Sequence, residues 1–147
     1  MLSWLFSDPL VVGENAPDFT LRDQGGNPVS LAALRGRNVV LVFYPADETT
    51  VCTKQLCEFR DNWALAQSKD ALVFGVNPAN ETKHAHFRDR HAFPFPLLAD
   101  PGQRVGALYR SKGLIVKRTV YLIGKSGRIR YARRGKPLPE EVLASAE

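Results

Sequence analysis

The chain has 147 residues, of which 44% are hydrophobic and 24% charged, and its formal net charge is +5. This length predicts one domain, residues 1–147, with residues 1–12 as an N-terminal extension. No apolar run approaches the roughly 20 residues that a membrane-spanning helix needs. The first residues lack a basic segment and an A-x-A cleavage site, so we expect no signal peptide and a cytoplasmic location.

Positive charge is concentrated in the last third of the chain. Between Pro101 and Pro139 there is no Asp or Glu, while Lys and Arg recur throughout. The stretch contains no helix-turn-helix, RNP or zinc-finger pattern, so we predict no nucleic-acid partner. We interpret it as a solvated basic face that also supplies positive potential, which favours thiolates and attracts anions.

The first elements in chain order are predicted to be strands. Residues 16–23 alternate between apolar and polar, and the turn GGNP leads into a returning strand at 28–31, which predicts a hairpin. A short helical turn at 30–36 follows. The continuous apolar run NVVLVFY at 38–44 is typical of a central strand buried on both faces.

The next elements alternate between helix and strand. We predict a helix from about Thr50 to Ser68, because apolar residues recur at helical spacing on one side of it: Leu56, Phe59, Trp63 and Ala66. Residues 71–76 form a second buried strand. A helix at 80–91 then starts at Asn80, which is a favourable N-cap residue.

The last part of the chain is predicted to contain shorter elements. A proline-rich loop with a short strand occupies 93–100, and a short helix occupies 103–109. Strands at 116–124 and 127–134 form a hairpin, and 139–146 is a final helix. The order predicts an α/β protein with a central mixed β-sheet flanked by helices, which is the element order of a thioredoxin-like fold with an N-terminal β-hairpin extension.

The position of Cys52 predicts a reactive thiol. It lies where the central strand ends and the next helix starts, and ligands of open α/β sheets bind beyond the carboxyl ends of the strands. The partial positive charge of a helix N-terminus stabilises a thiolate, which is the reactive form of cysteine. Cys52 is therefore the candidate nucleophile, and the competing interpretation is a buried, inert cysteine.

Cys57, the second of the two cysteines, lies on the same predicted helix. Five residues of α-helix rise about 7.5 Å and place the two Cα atoms on the order of 8–9 Å apart. A disulfide needs Cα atoms within about 7 Å, so the first helical turn must unwind before the two thiols can bond. The spacing suggests stepwise chemistry, in which a sulfenic acid at Cys52 condenses with Cys57.

The segment around both cysteines carries a specific pattern. Its spacing is P-x-x-x-T-x-x-C followed by C-x-x-x-x-C, with the members Pro45, Thr49, Cys52, Thr53, Lys54, Gln55 and Cys57. This segment resembles the active site of the peroxiredoxins, and is most similar to their bacterioferritin comigratory protein type, or Q type. Flanking segments at 13–26, 29–45, 59–61 and 118–129 agree, and the resemblance covers roughly 12–131.

The resemblance implies a thioredoxin-like fold and thiol-dependent reduction of hydrogen peroxide and organic hydroperoxides. It makes Cys52 the peroxidatic cysteine and Cys57 the resolving one, joined in an intramolecular disulfide. Thr49 and Arg118 would bind the peroxide and stabilise its developing charge. Pro45 would shield the pocket, and backbone N–H groups at the helix start, where Val51 and Cys52 lie, would bind the peroxide oxygens.

The resemblance further implies that no metal or organic cofactor is needed. Thioredoxin or a similar dithiol protein would reduce the disulfide, and the protein would be a monomer or a weak homodimer, with no membrane partner. An apolar group in the extension would dock on the domain or contact a second copy: Leu2, Trp4, Leu5 and Phe6.

One departure from the family pattern keeps two other functions open. The family usually has Pro-Gly between its Thr and Cys, whereas this chain has Thr50 and Val51, which are stiffer than glycine. If they block the local disulfide, the protein is a one-cysteine peroxidase that uses an external thiol. The second alternative is a non-catalytic redox sensor or binding module, which oxidises at Cys52 without turnover.

Three histidines between the second buried strand and the proline-rich loop invite a metal interpretation. They are His84, His86 and His91. His84 and His86 do not share a helix face, and no carboxylate cluster joins them. We therefore predict no metal site and solvent-facing histidines.

Overall fold

A computed structural model describes residues 8–147. For Cys52 it describes the backbone only. It contains seven β-strands: β1 Thr20–Asp23, β2 Pro28–Ser30, β3 Asn38–Phe43, β4 Ala71–Asn77, β5 Leu97–Ala99, β6 Thr119–Ile123 and β7 Ile129–Arg134. It contains five α-helices: α1 Thr50–Asp61, α2 Trp63–Ser68, α3 Glu81–His91, α4 Arg104–Leu108 and α5 Pro139–Leu143. Short 3₁₀ turns lie at Ala32–Leu34 and Pro101–Gln103.

All seven strands belong to one mixed sheet, in the order β2-β1-β5-β4-β3-β6-β7. The central strands β3, β4 and β5 are parallel, and the β6–β7 hairpin and the β1–β2 hairpin add antiparallel strands on the two sides. Because β3 and β4 are parallel, their carboxyl ends meet at one edge of the sheet, and this is the edge at which α1 begins.

The sheet has a hydrophobic core on each face. Alternate residues of β3 point to opposite faces, so Val40 and Val42 belong to one core, and Val39, Leu41 and Phe43 belong to the other. The first core is closed by α1, α2, α3 and α5, and the second by α4 and the segment before β1. Burial on both faces explains why β3 reads as an uninterrupted apolar run.

The predicted fold class is confirmed: the sheet is mixed, helices flank it, and β1 and β2 form the expected hairpin. The short strand β5 joins that hairpin to the central sheet, since it pairs with β1 on one side and with β4 on the other. The apolar group predicted within residues 2–6 lies outside the described residues.

The prediction of one helix from Thr50 to Ser68 is wrong in one respect, because the helix breaks at Asn62. There the backbone has φ −107° and ψ 24°, and the Asn62 side chain donates a hydrogen bond of 2.8 Å to the carbonyl of Glu58. Asparagine side chains that bond the backbone in this way compete with helical hydrogen bonding. The apolar spacing runs through the break, so periodicity alone did not reveal it.

No helix within 8–147 is long and apolar enough to span a bilayer.

We expect Gly75→Ala to destabilise the protein by about 1–3 kcal/mol, because an added methyl group overpacks the core. A Cβ atom at Gly75 would lie 2.8 Å from Leu97 Cδ2 and 3.0 Å from Tyr44 Cε1. Urea unfolding followed by circular dichroism measures the loss. Adding Leu97→Val, which withdraws the nearest methyl group, should recover part of it. An unchanged midpoint for Gly75→Ala would contradict the close packing.

Candidate active site

The start of α1 has no side-chain cap. Thr49 occupies the N-cap position with extended backbone (φ −91°, ψ 147°), and its side chain does not cap the helix. Its hydroxyl donates instead to the carbonyl of Ala46 at 3.3 Å, and the residue is exposed. The first N–H groups of an α-helix have no partner inside the helix, so without a side-chain cap they remain available to an incoming oxygen.

Both cysteine positions lie on α1, as the sequence predicts. Cys52 is in the first turn, and Cys57 is five residues further along an unbroken helix. The thiol of Cys57 is free and half-buried, and it packs against the core on the α1 side of the sheet. A surface groove gives access to it, lined by Glu48, Thr50, Thr53, Lys54, Cys57, Arg90 and His91.

The pKa of the Cys57 thiol is raised above its ordinary value, chiefly because burial disfavours the thiolate. The positive charge of Arg60 opposes this shift, and the negative charge of Asp61 adds to it. The raised pKa lowers the thiolate fraction of Cys57, and the thiolate is its nucleophilic form.

Arg118 is held against α1 by a glutamine. Its guanidinium donates a hydrogen bond of 2.6 Å to Oε1 of Gln55, which is buried. The Gln55 amide donates in turn to the carbonyl of Gly135 at 3.4 Å, after β7. Gln55 follows Cys52 by three residues, so the two positions share a face of α1. Arg118 lies immediately before β6 rather than inside the predicted strand.

Two more cations lie beside Arg118. The pKa values of Lys117 and Arg134 are both lowered chiefly by burial, and the charge of Arg134 adds to the effect on Lys117. Arg134 donates a hydrogen bond of 2.8 Å to the Thr119 hydroxyl. The basic stretch identified in the sequence therefore brings several positive charges to this end of β6 and β7.

The remaining predicted residues surround the helix start. Pro45 is half-buried and follows Tyr44, the first residue after β3. Val51 is exposed in the first turn of α1. A partly apolar groove runs along this side of the helix, lined by Thr50, Val51, Lys54, Gln55, Glu58, Lys136 and Leu138. Pro45, Thr49, Val51 and the Cys52 backbone thus lie on one continuous segment, and Arg118, immediately before β6, reaches the same helix.

The prediction of solvent-facing histidines is wrong for His84. The ring projects from α3 and is completely buried. Its Nδ1 lies 2.7 Å from Oδ2 of Asp47, and its Nε2 lies 3.0 Å from the carbonyl oxygen of Leu98. His86 is exposed and His91 half-buried. From the sequence, His84 is considered only as a possible metal ligand and Asp47 is not singled out, because their contact joins two segments 37 residues apart. Among residues 8–147, no group of three or more His, Cys, Asp or Glu could hold a metal ion.

Together, a thioredoxin-like sheet and a cysteine in the first turn of the helix after its central strand define a class of thiol-based redox proteins. Comparison with known families makes this specific: the model of the AhpC/TSA family matches residues 12–132. The chain belongs to that family, and its resemblance to the peroxiredoxins is confirmed.

Curated relatives include the chloroplastic peroxiredoxin Q of Oryza sativa subsp. japonica, which is 40% identical over 133 residues. That of Arabidopsis thaliana is 39% identical over 136 residues. Each alignment covers 88% of this chain, but only 61% of the rice protein and 62% of the Arabidopsis protein. The chain thus spans about three fifths of the length of these relatives.

Solved structures agree with the fold. Peroxidoxin BcpB from Mycobacterium tuberculosis superposes with a TM-score of 0.85 at 32% identity, covering 91% of this chain and 94% of that one. A cysteine-to-serine mutant of PrxQ from Xylella fastidiosa gives the same TM-score of 0.85 at 25% identity, covering 94% and 96%.

We expect alkylation of Cys57 by iodoacetamide, measured by mass in Cys52→Ser, to be slow near neutral pH. The rate should keep rising with pH beyond the ordinary thiol range of about 8.5, because a raised pKa lowers the thiolate fraction at any given pH. Arg60→Leu should slow the reaction further, and Asp61→Asn should accelerate it. Equal rates in all three proteins would show that these charges do not act on Cys57.

Proposed function

We propose that the protein is a thiol-dependent peroxidase that reduces hydrogen peroxide and organic hydroperoxides. The observation that carries the proposal is the position of Cys52 in the uncapped first turn of α1, on the helix face to which Gln55 holds Arg118. Membership of the AhpC/TSA family, with relatives named peroxiredoxin Q, supports it.

The first step oxidises Cys52. Its thiolate sulfur attacks the terminal oxygen of the hydroperoxide, so that an S–O bond forms while the O–O bond breaks. Two electrons pass from sulfur to the peroxide, and the departing alkoxide takes up a proton equivalent to the one lost when the thiol ionised. The products are a sulfenic acid at Cys52 and an alcohol, or water when the substrate is hydrogen peroxide.

The surrounding groups act on the charge in this step. The Thr49 hydroxyl can accept and donate at once, so it holds the peroxide beside the helix start. The Arg118 guanidinium and the backbone N–H groups at Val51 and Cys52 stabilise negative charge on the sulfur and on the leaving oxygen. Pro45 covers the pocket on the strand side, which keeps competing water out.

The second step forms the disulfide. The Cys57 thiolate attacks the sulfur of Cys52, an S–S bond replaces the S–O bond, and hydroxide leaves with the Cys57 proton as water. The first turn of α1 must unwind for this reaction, since an intact helix keeps the Cα atoms too far apart. A dithiol protein of the thioredoxin type then reduces the disulfide and becomes oxidised itself.

The test is intact mass under non-reducing conditions after one equivalent of hydrogen peroxide, with wild type beside Cys57→Ser and Cys52→Ser. We expect wild type to lose about two mass units and Cys57→Ser to gain about 16 or 32. Cys52→Ser should stay unchanged. A thioredoxin system should then sustain peroxide consumption by wild type.

Other outcomes separate the alternatives. If wild type gains oxygen without an internal disulfide and turns over with small thiols, the protein is a one-cysteine peroxidase, and stiffening by Thr50 and Val51 is the physical reason. If it oxidises at Cys52 but no thiol supports turnover, it is a redox sensor and the peroxidase proposal fails.

We expect Thr49→Val to lower the rate constant of Cys52 oxidation by about 100-fold, because removing one polar group that stabilises a transition state has an effect of this size. Thr49→Ser retains the hydroxyl and should stay within a few-fold of wild type. Stopped-flow competition with a peroxidase of known rate gives both constants. Equal losses in the two variants would assign Thr49 a packing role instead.

A further inference from the structure

A buried polar cluster lies directly behind the segment that leads into α1. Within residues 45–49, only the side chain of Asp47 is buried. Its Oδ1 accepts hydrogen bonds from the Tyr44 hydroxyl at 2.6 Å and from Nδ2 of Asn77 at 3.0 Å. Its Oδ2 lies 2.7 Å from Nδ1 of His84, whose ring is fully buried. A carboxylate and an imidazole without solvent contact are costly to bury, so their mutual contact is strongly specified.

The partners of His84 fix where its protons are. The carbonyl of Leu98 can only accept, so Nε2 carries a hydrogen and donates to it at 3.0 Å. Nδ1 then faces a carboxylate oxygen at 2.7 Å, and the two attract each other only with a proton between them. Asp47 and His84 therefore share a proton in a charge-assisted hydrogen bond, one of the stronger kinds in proteins.

This contact connects a strained segment to rigid elements. Glu48, the next residue, has φ 65°, a left-handed conformation that costs a non-glycine residue about 1–2 kcal/mol. The side chain of Glu48 forms an exposed ion pair with Arg90 at 3.3 Å, which contributes little to the free energy of folding. His84 lies in α3 and bonds to the carbonyl of Leu98 in β5. Neither element contains a cysteine, so both can stay fixed while α1 unwinds. Asp47 is thus the main side-chain anchor of residues 45–49, and its bond to His84 is the contact that ties it to α3 and β5.

We propose that His84, through Asp47, is a positioning residue that clamps residues 45–49 and thereby sets the balance between the intact and the unwound first turn of α1. The inference rests on the proposed peroxidase function. The clamp holds Thr49 and the helix start in the geometry that reacts with peroxide. Releasing it lets the strained segment relax, which slows oxidation of Cys52 and makes disulfide formation with Cys57 easier.

Two substitutions of His84 separate the effects of its two hydrogen bonds, because each keeps one bond and removes the other. In His84→Asn, the amide nitrogen stands near the place of Nδ1, so the bond to Asp47 is kept and the bond to Leu98 is lost. In His84→Gln, the amide stands near the place of Nε2, so the bond to Leu98 is kept and the bond to Asp47 is lost. A merely structural role predicts similar effects for both.

The experiment is rapid mixing of each reduced variant with hydrogen peroxide, followed by quenching and intact mass, which separates sulfenic acid from disulfide. For His84→Gln we expect the rate constant of sulfenic acid formation to fall by about tenfold, as misplacement of a reacting group does. The rate of disulfide formation should rise by a factor of roughly two to ten, the worth of one buried hydrogen bond in an opening equilibrium. For His84→Asn both rates should stay within about twofold of wild type.

A control accounts for general destabilisation. Asn38 is buried at the opposite end of β3, where its amide donates to the carbonyls of Lys69 and Glu147. Asn38→Ala should lower the thermal midpoint and leave both rates unchanged. If His84→Gln does not fold, Asp47→Ser tests the same contact, because its shortened side chain no longer reaches His84.

The inference is overturned if His84→Gln and His84→Asn give the same two rates, or if Asn38→Ala reproduces the split between oxidation and disulfide formation. A wild-type protein that consumes no peroxide would instead refute the proposed function. The wild-type measurement therefore distinguishes failure of the function from failure of the clamp.

Discussion

The structure depends on one geometric constraint: two cysteines five residues apart share one α-helix. An intact α1 places a helix N-terminus at Cys52, where a thiolate is stabilised, but it also keeps Cys57 beyond disulfide distance. The proposed chemistry therefore needs the same turn formed for oxidation of Cys52 and unwound for the disulfide. The absence of a side-chain cap at Thr49 fits both parts of the proposal, since it leaves N–H groups available and weakens this end of the helix.

The anchors around α1 divide the helix into a part that can move and a part that is fixed. Gln55, in the second turn, is buried and tied to Arg118 and to the carbonyl of Gly135. Leu56 and Phe59 are embedded in the core, which secures the rest of the helix. Between Asp47 and Gln55 the exposed side chains of Thr49, Thr50 and Val51 give little support. Any unwinding is thereby confined to the turn that contains Cys52.

The sequence allowed prediction of the fold, because β3 and the face of α1 with Leu56 and Phe59 are determined by local apolar patterns. It also placed both cysteines on one helix, because the helical spacing of apolar residues predicts a helix that contains positions 52 and 57. Three features could not be predicted. The break at Asn62 depends on a side chain bonding its own backbone, the Gln55–Arg118 contact joins residues 63 apart, and the burial of His84 depends on a carboxylate brought close by the sheet. Such contacts arise from tertiary packing, and no periodicity records them.

The two outer strands of the sheet bear on how copies of the chain meet. An outer strand exposes unpaired backbone groups and can template further strands, which leads to aggregation. β2 has only three residues and begins with Pro28, which has no N–H to donate. β7 carries three arginines, Arg130, Arg133 and Arg134, whose like charges repel a second copy aligned beside it. The basic stretch of the sequence thus also disfavours edge-to-edge pairing of copies through β7.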